Sequence, residues 1–284
     1  MRRAAVIQDI SGFGKCSLTM SLPVLSACGI EACPMPTAVL STHTSEFTNY
    51  SYRDLTEDMP GYIDHWASLG IAFSSIYSGY LGSLKQVQIV SDFVDRFRKE
   101  DTFVLIDPCM GDGGELYSGI PDEMIEAMLG LCHKADIIVP NVTEAELMLG
   151  LPHRTGIVEP EYGEMLATNL MQKGIRRVAV TGIPYGENKV GVWVCDSITK
   201  SCKNIVTNRV DGVFYGTGDL FACCLLAGIE NGKTILEAAD IACKITSMAV
   251  QRTSEAGIIP KNGLLFEGCI PELMRALVEK GNER

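Results

Sequence analysis

Apolar residues fall into two rhythms along this chain. Short aliphatic and β-branched runs at 4–7, 38–40, 75–77, 103–106, 137–139 and 177–180 predict strands, because brief continuous apolar runs suit a sheet buried on both faces. Between them, 17–28, 87–99, 123–133, 143–149 and 161–173 space their apolar positions three and four apart, the period of a helix packed along one stripe. Strand and helix alternating in this way predict an α/β fold, with a mainly parallel central sheet flanked by helices on both faces. Asn141 or Thr143 can cap the helix that carries Glu144 and Glu146. From 190 to 206 the Val, Trp and Ile positions follow one another without a helix between them, which reads as a small antiparallel element on the sheet edge. Residues 220–284 read as mainly helical, and with no repeat or linker in sight residues 1–284 are expected to form a single domain.

Composition narrows the partners. A net charge of −11 excludes a polyanion such as DNA or RNA, which needs clustered Lys and Arg, but leaves room for a small anion held by a few local donors. No window approaches the roughly 18 apolar residues of a membrane span. After Met1-Arg2-Arg3 the apolar run stops at Gln8 and Asp9. A cytoplasmic protein without a membrane partner is expected. Eleven cysteines, among them Cys16, Cys28, Cys132 and Cys243, are scattered through apolar segments and read as reduced core residues, as do the adjacent Cys223 and Cys224. None shows the spacing of a structural metal site.

The sharpest chemistry lies at Gly216-Thr217-Gly218-Asp219, followed at once by the apolar helical run 220–228. Glycines ahead of a helix let bare N–H groups converge where the helix end is already positive, which suits a transferring phosphoryl group. Asp219 in the same turn can take the proton of an attacking hydroxyl. Alone, such a turn could equally be a glycine-rich loop with an acidic cap. Two further acidic segments accompany it. Asp107-Pro108-Cys109-Met110-Gly111-Asp112 follows one strand, and Asn141-Val142-Thr143-Glu144 follows the next. Loops at the carboxyl ends of parallel strands are where α/β proteins assemble ligand sites. Asp107, Asp112 and Glu144 are oxygen ligands of the kind Mg²⁺ takes when it escorts nucleotide phosphates. Thr181, placed to close the strand 178–180, offers a hydroxyl to a phosphate.

The run 210–222 resembles the catalytic signature of the pyridoxal kinases, within the ribokinase-like superfamily. Matches continue in order at Ser41-Thr42-His43-Thr44, Ser78-Gly79-Tyr80-Leu81-Gly82-Ser83, 107–112, Pro140-Asn141 with Glu144-Ala145-Glu146-Leu147, and Val250-Gln251-Arg252-Thr253, so the resemblance spans about 4–255. It implies a ribokinase-like fold and ATP-dependent phosphorylation of a vitamin B6 alcohol, with Mg²⁺ and a monovalent cation such as K⁺. It also implies a homodimer. By the same resemblance Asp219 is the general base, with Gly216, Thr217 and Gly218 around the phosphoryl group. Asp9 and Thr44 touch the pyridine, while His43 and Tyr80 line its pocket. Asp107, Asp112, Asn141, Glu144, Thr181, Thr217 and Gly218 serve the nucleotide, and Asp107 and Glu144 the metal.

One position departs from the pattern. Pyridoxal kinases carry Gln-Ser where this chain has Gln8-Asp9, and Asp9-Ile10-Ser11-Gly12-Phe13-Gly14 resembles the opening of the hydroxymethylpyrimidine kinases of thiamine synthesis. Against that alternative, the substrate-binding Gln of those enzymes is absent from 37–44, where Thr42 stands, and their Cys after Gly-x-Gly is here Asp219. A non-catalytic sensor that kept the fold is a third alternative. Its expected mark, loss of the base or of the glycine turn, is absent.

Overall fold

The computed structural model describes residues 1–186 and 188–278. The chain runs β1 (Arg3–Ser11), α1 (Leu18–Ala27), β2 (Glu31–Leu40), β3 (Tyr52–Asp54), α2 (Met59–Ser68), β4 (Ser75–Ser78), α3 (Leu84–Phe97) and β5 (Phe103–Ile106). It continues through β6 (Gly111–Asp112), β7 (Glu115–Leu116), α4 (Glu123–Cys132), β8 (Ile137–Ile138), α5 (Val142–Leu149), α6 (Pro160–Gln172) and β9 (Arg177–Tyr185). It ends with β10 (Lys189–Asp196), β11 (Ser201–Asn208), α7 (Thr217–Glu230), α8 (Ile235–Glu255) and α9 (Ile270–Val278). One nine-stranded sheet has the order β11-β10-β9-β8-β5-β4-β1-β2-β3, and β6–β7 is a separate hairpin.

The middle of the sheet, from β2 through β1, β4, β5 and β8 to β9, is parallel. Its apolar runs are short because each strand is covered twice. Side chains alternate along a strand, so in β5 Val104 and Ile106 join the layer under α2 to α6, while Leu105 joins the opposite layer under α1, α7, α8 and α9. Ile76 and Tyr77 of β4 divide in the same way. The expected α/β architecture is therefore present, with the antiparallel β9–β10–β11 meander on one edge. A second antiparallel addition, β3 on β2, occupies the other edge and was not anticipated from the sequence.

Three expectations are corrected by the structure. The strand read at 38–40 is only the end of β2, whose Pro34 and Pro36 disguise it. They are tolerated because β3 pairs only with Ala38, Val39 and Leu40, leaving the outer side of the proline stretch without a ladder to break. β9 runs on to Tyr185, so Thr181 sits inside a strand and does not end one. Cys195 and Cys202, read as reduced with the others, are joined by a disulfide, because the β10–β11 register sets them directly opposite with Cα atoms 4.1 Å apart. Of the two caps expected for α5, Asn141 is the one formed. The helical expectation for 279–284 lies outside the described residues, and no described helix is long and apolar enough to cross a membrane.

Under α2 and α3 the layer is aromatic. Phe93 is fully buried, stacked on Phe97 at 4.5 Å and set 5.8 Å from Phe73 and 6.2 Å from Trp66. Phe93→Ala is expected to reduce the free energy of unfolding by about 3–5 kcal/mol through lost burial and an unfilled cavity. Urea denaturation checks it, and a loss below about 1 kcal/mol would show that the cluster collapses around the gap.

Candidate active site

Strand order reverses at β1. The chain leaves β1 for β2 on one side and returns to β4 on the other, and at such a reversal the loops beyond the carboxyl ends diverge and leave room for a ligand. β1 overruns β4, whose Ser78 pairs with Ile7, and runs on beside β2 to Ser11, with a register shift against β2 between Gln8 and Ile10. It thus carries Gln8 and Asp9 into this region, while α7 enters from the face shared with α1.

Asp219 stands in the first turn of α7. Gly216, the N-cap, has φ 84°, a left-handed conformation that costs glycine little, and a Cβ there would meet the Lys15 carbonyl at 2.6 Å. The first helical bond runs from the Leu220 N–H to the Gly216 carbonyl at 3.0 Å, so the N–H groups of Thr217, Gly218 and Asp219 precede the ladder. Gly218 leaves them open, since the nearest atom to the place of a Cβ is Asp107 Oδ2 at 3.9 Å. Thr217 turns its hydroxyl back to the Phe214 carbonyl at 3.3 Å and so braces the turn. Both oxygens of Asp219 meet donors: the Ser17 N–H reaches Oδ2 at 2.9 Å and the Gln8 amide reaches Oδ1 at 3.4 Å. Burial nevertheless pushes its pKa up to about 7, the Ser17 N–H opposing this and the charge of Asp9 adding to it.

The second acidic group comes from β5 and α5. Asp107 follows β5, and burial, then the charges of Glu144 and Asp219, hold its carboxyl well above the usual range. Glu144 closes a capping box with Asn141. One of its oxygens accepts the Asn141 N–H at 2.8 Å and the other the Met110 N–H at 3.1 Å. Burial raises it to about 8 against those backbone bonds. Asn141 also donates to the Gly111 carbonyl at 2.8 Å, so the two residues splint the loop 107–112 onto α5. Asp112 does not join them. It is exposed in the β6–β7 hairpin and accepts the N–H of its neighbour Gly113 at 2.8 Å. Among the described residues no group of three His, Cys, Asp or Glu could hold a metal unaided. Thr181 bridges in parallel to Asn141 and is half-buried beside the same loop.

On the other side of Asp219, Asp9 is buried and accepts the Ser11 hydroxyl at 2.8 Å. Burial raises its pKa, and hydrogen bonds from Ser17 and Ser11 oppose the shift. His43 is gripped by a cluster that sequence reasoning missed: stacked on Tyr215 at 5.2 Å, edge-on to Phe47 at 4.8 Å, with Nε2 2.7 Å from the Lys261 carbonyl. Since that carbonyl only accepts, Nε2 donates to it, and Nδ1 is buried with no hydrogen-bond partner among the described residues. Tyr80 is half-buried, and its hydroxyl is pushed up by burial and by Tyr52. Thr44 is exposed on the loop after β2. Gln8, Ser17 and Tyr52 were likewise not singled out from the sequence.

A parallel sheet with an acid and open N–H groups at one helix start, facing two more acids across the carboxyl ends of the strands, defines a small-molecule kinase of the ribokinase-like class. The chain belongs to the phosphomethylpyrimidine kinase family, whose model matches residues 22–263. It is 26% identical over 255 residues to the pyridoxine/pyridoxal/pyridoxamine kinase of Bordetella avium, covering 87% of this chain and 84% of that one. A Bacteroides thetaiotaomicron structure that bears the phosphomethylpyrimidine kinase name, crystallised with pyridoxal, superposes with a TM-score of 0.90 at 34% identity, covering 96% of this chain and 95% of that one. The pyridoxal kinase of Lactobacillus plantarum follows with a TM-score of 0.88 at 26% identity, covering 97% of each chain.

Glu144→Gln is expected to destabilise the unliganded protein by about 1–3 kcal/mol, because an amide has one accepting oxygen for two buried N–H groups. Thermal denaturation without nucleotide checks it, and a melting temperature equal to wild type would mean that Met110 and Asn141 find other acceptors.

Proposed function

We propose that this chain transfers the γ-phosphoryl group of ATP to the 5′-hydroxymethyl group of pyridoxal, pyridoxine or pyridoxamine, with Asp219 as general base. The observation that carries this reading is the half-buried carboxylate of Asp219 in the same helical turn as the open N–H groups of 217–219. There the acceptor hydroxyl can lose its proton to Asp219 as the phosphoryl charge meets the N–H groups. Kinship supports the acceptor, since the Bordetella relative is named for all three vitamers and the Bacteroides protein was crystallised with pyridoxal. Asp9, Tyr80 and the free Nδ1 of His43 are acceptors and donors suited to a hydroxypyridine ring, and Thr44 completes that side when its loop folds over the ring.

The nucleotide belongs on the side of Asp107, Asn141, Thr181, Thr217 and Gly218, with Asp112 at its rim. Asp107 accepts no hydrogen bond among the described residues, and its burial and like-charged neighbours favour an arriving cation. Asp107 and Glu144 are therefore the residues that would hold Mg²⁺ brought by the phosphates. Bound there, Mg²⁺ supplies positive charge to the phosphates. A monovalent cation such as K⁺ stays an implication of the resemblance with no residue assigned. The reading takes residues 1–284 as one kinase domain, cytoplasmic because ATP is the donor. It also takes the chain as a homodimer, for which the open outer edge of β3 with exposed Val39, Tyr50 and Tyr52 is suited.

An ATP-consumption assay offering the three vitamers, hydroxymethylpyrimidine and simple sugars separately tests the proposal. Turnover of hydroxymethylpyrimidine alone would favour the second reading, for which the family description and the run Asp9 to Gly14 speak. Binding without turnover of any substrate would favour a sensor.

Asp219→Asn is expected to lower kcat by about 10²- to 10⁴-fold with ATP binding retained. In the wild type the base must be ionised, so kcat/KM should rise with pH through about 7 and level off above it. A mutant within a few-fold of wild type, or an acid limb below pH ~5, would remove Asp219 from that role.

Asp9→Ser is expected to keep catalysis and to shift relative kcat/KM among the vitamers. Loss of one charge-assisted hydrogen bond amounts to about 1.5–3 kcal/mol for the most affected one. Unchanged vitamer preferences with altered thermal stability alone would show that Asp9 only shapes the end of β1.

A further inference from the structure

Gln8 is an amide that follows the apolar run 4–7 of β1, fully buried and therefore out of reach of any substrate. Three features fix it. Its Oε1 accepts the Ser21 hydroxyl at 2.6 Å, which turns the Nε2 group toward Asp219 Oδ1, 3.4 Å away. Ser21 is itself seated in α1, with the Ser17 carbonyl 3.0 Å from its hydroxyl and the Cys223 thiol of α7 3.3 Å away. On the far side, Gly79 has no side chain where the amide lies, and a Cβ at that position would be 2.4 Å from Nε2. The carboxylate of Asp219 thus has one oxygen held by a backbone N–H of α1 and the other by an amide from β1, on two elements that α7 packs against.

We infer that Gln8 is a positioning residue for the phosphoryl transfer, an amide clamp that sets the rotation of the Asp219 carboxylate, with Ser21 fixing its orientation and Gly79 making room for it. The inference rests on the proposed role of Asp219 as base. A carboxylate rotates easily about its terminal bond, and a base misaligned with the acceptor hydroxyl loses rate without losing substrate affinity. Gln8→Met keeps the length of the side chain and removes its donor. Its expected effect is a fall in kcat of about 10-fold, with KM for ATP and pyridoxal within about two-fold of wild type. Gly79→Ala should act in the same direction, because the new methyl displaces the amide. In an Asp219→Asn background, Gln8→Met should change the residual rate by less than about two-fold, since the two residues act as one unit.

The outcomes separate cleanly. If Asp219→Asn is nearly as active as wild type, the base assignment fails and the clamp with it. If Asp219→Asn is inactive while Gln8→Met and Gly79→Ala keep kcat within about two-fold, the clamp alone is overturned. An equal loss on adding Gln8→Met to Asp219→Asn also overturns it, because Gln8 would then act by another route. Should Gln8→Met not fold, Ser21→Ala decides: about a three-fold loss in kcat at unchanged KM supports the clamp, and an unchanged kcat refutes it.

Discussion

Everything at the working end of this sheet is arranged around keeping carboxylates ionisable where water is scarce. Asp9, Asp107 and Glu144 are buried and Asp219 is half-buried, and loss of solvent is the largest cause of the upward shift in each. Several of the four also repel one another, so the cluster carries a standing electrostatic cost. The compensation differs by residue. Glu144 meets two backbone N–H groups, Asp219 a backbone N–H and an amide, and Asp9 serine hydroxyls. Asp107 has no such donor, so its charge awaits compensation from outside. A site poised in this way is organised for a cationic, phosphate-bearing visitor and not for its own maximal stability.

Topology explains why the four acids meet. β1 lies at the reversal of strand order, with α1 leaving it on one face and α3 following β4 on the other. Side chains from the carboxyl ends of β1 and β4 and the loops after β5 and β8 then point into a common space. α7, arriving last in the chain, packs beside α1 and presents its N-terminus to that space. The Ser17 N–H and Asp219, 202 residues apart, meet because the two helices share one layer of the core. Asp219 is therefore held by the fold's packing and not by its local loop alone.

Much of this was legible in the chain. The central strands announced themselves as continuous apolar runs, the turn at 216–219 as glycines before an apolar helix, and Asn141 as the cap of an acidic first turn. The rest hid for identifiable reasons. β2 was shortened in the reading because Pro34 and Pro36 argue against a strand wherever the outer edge is not known to be open. Asp112 looked like a companion of Asp107, but sequence spacing does not distinguish an acid turned inward from one in a hairpin. The pairing of Cys195 with Cys202 depends on the β10–β11 register, which no cysteine count contains. Gln8 showed only as the matching half of the pair Gln8-Asp9, and its hydrogen bond to a carboxylate 211 positions away is not visible in the sequence.

The division of labour between the two sides of Asp219 also bears on why one family name spans two acceptors. In the proposed reading the phosphoryl group is handled by the α7 turn and the loop splinted by Glu144, and the ring by β1, the loop after β2 and the residue after Gly79, the elements that carry Asp9, His43, Thr44 and Tyr80. Asp219 would serve both, facing the acceptor hydroxyl whichever heterocycle bears it. Changing a side chain such as Asp9 can therefore alter which ring is held without disturbing the turn that stabilises the transferring group. In that reading the phosphoryl transfer rests on backbone geometry and the hydrogen bonds around Asp219, and the choice of acceptor on a few side chains at the edge of that frame.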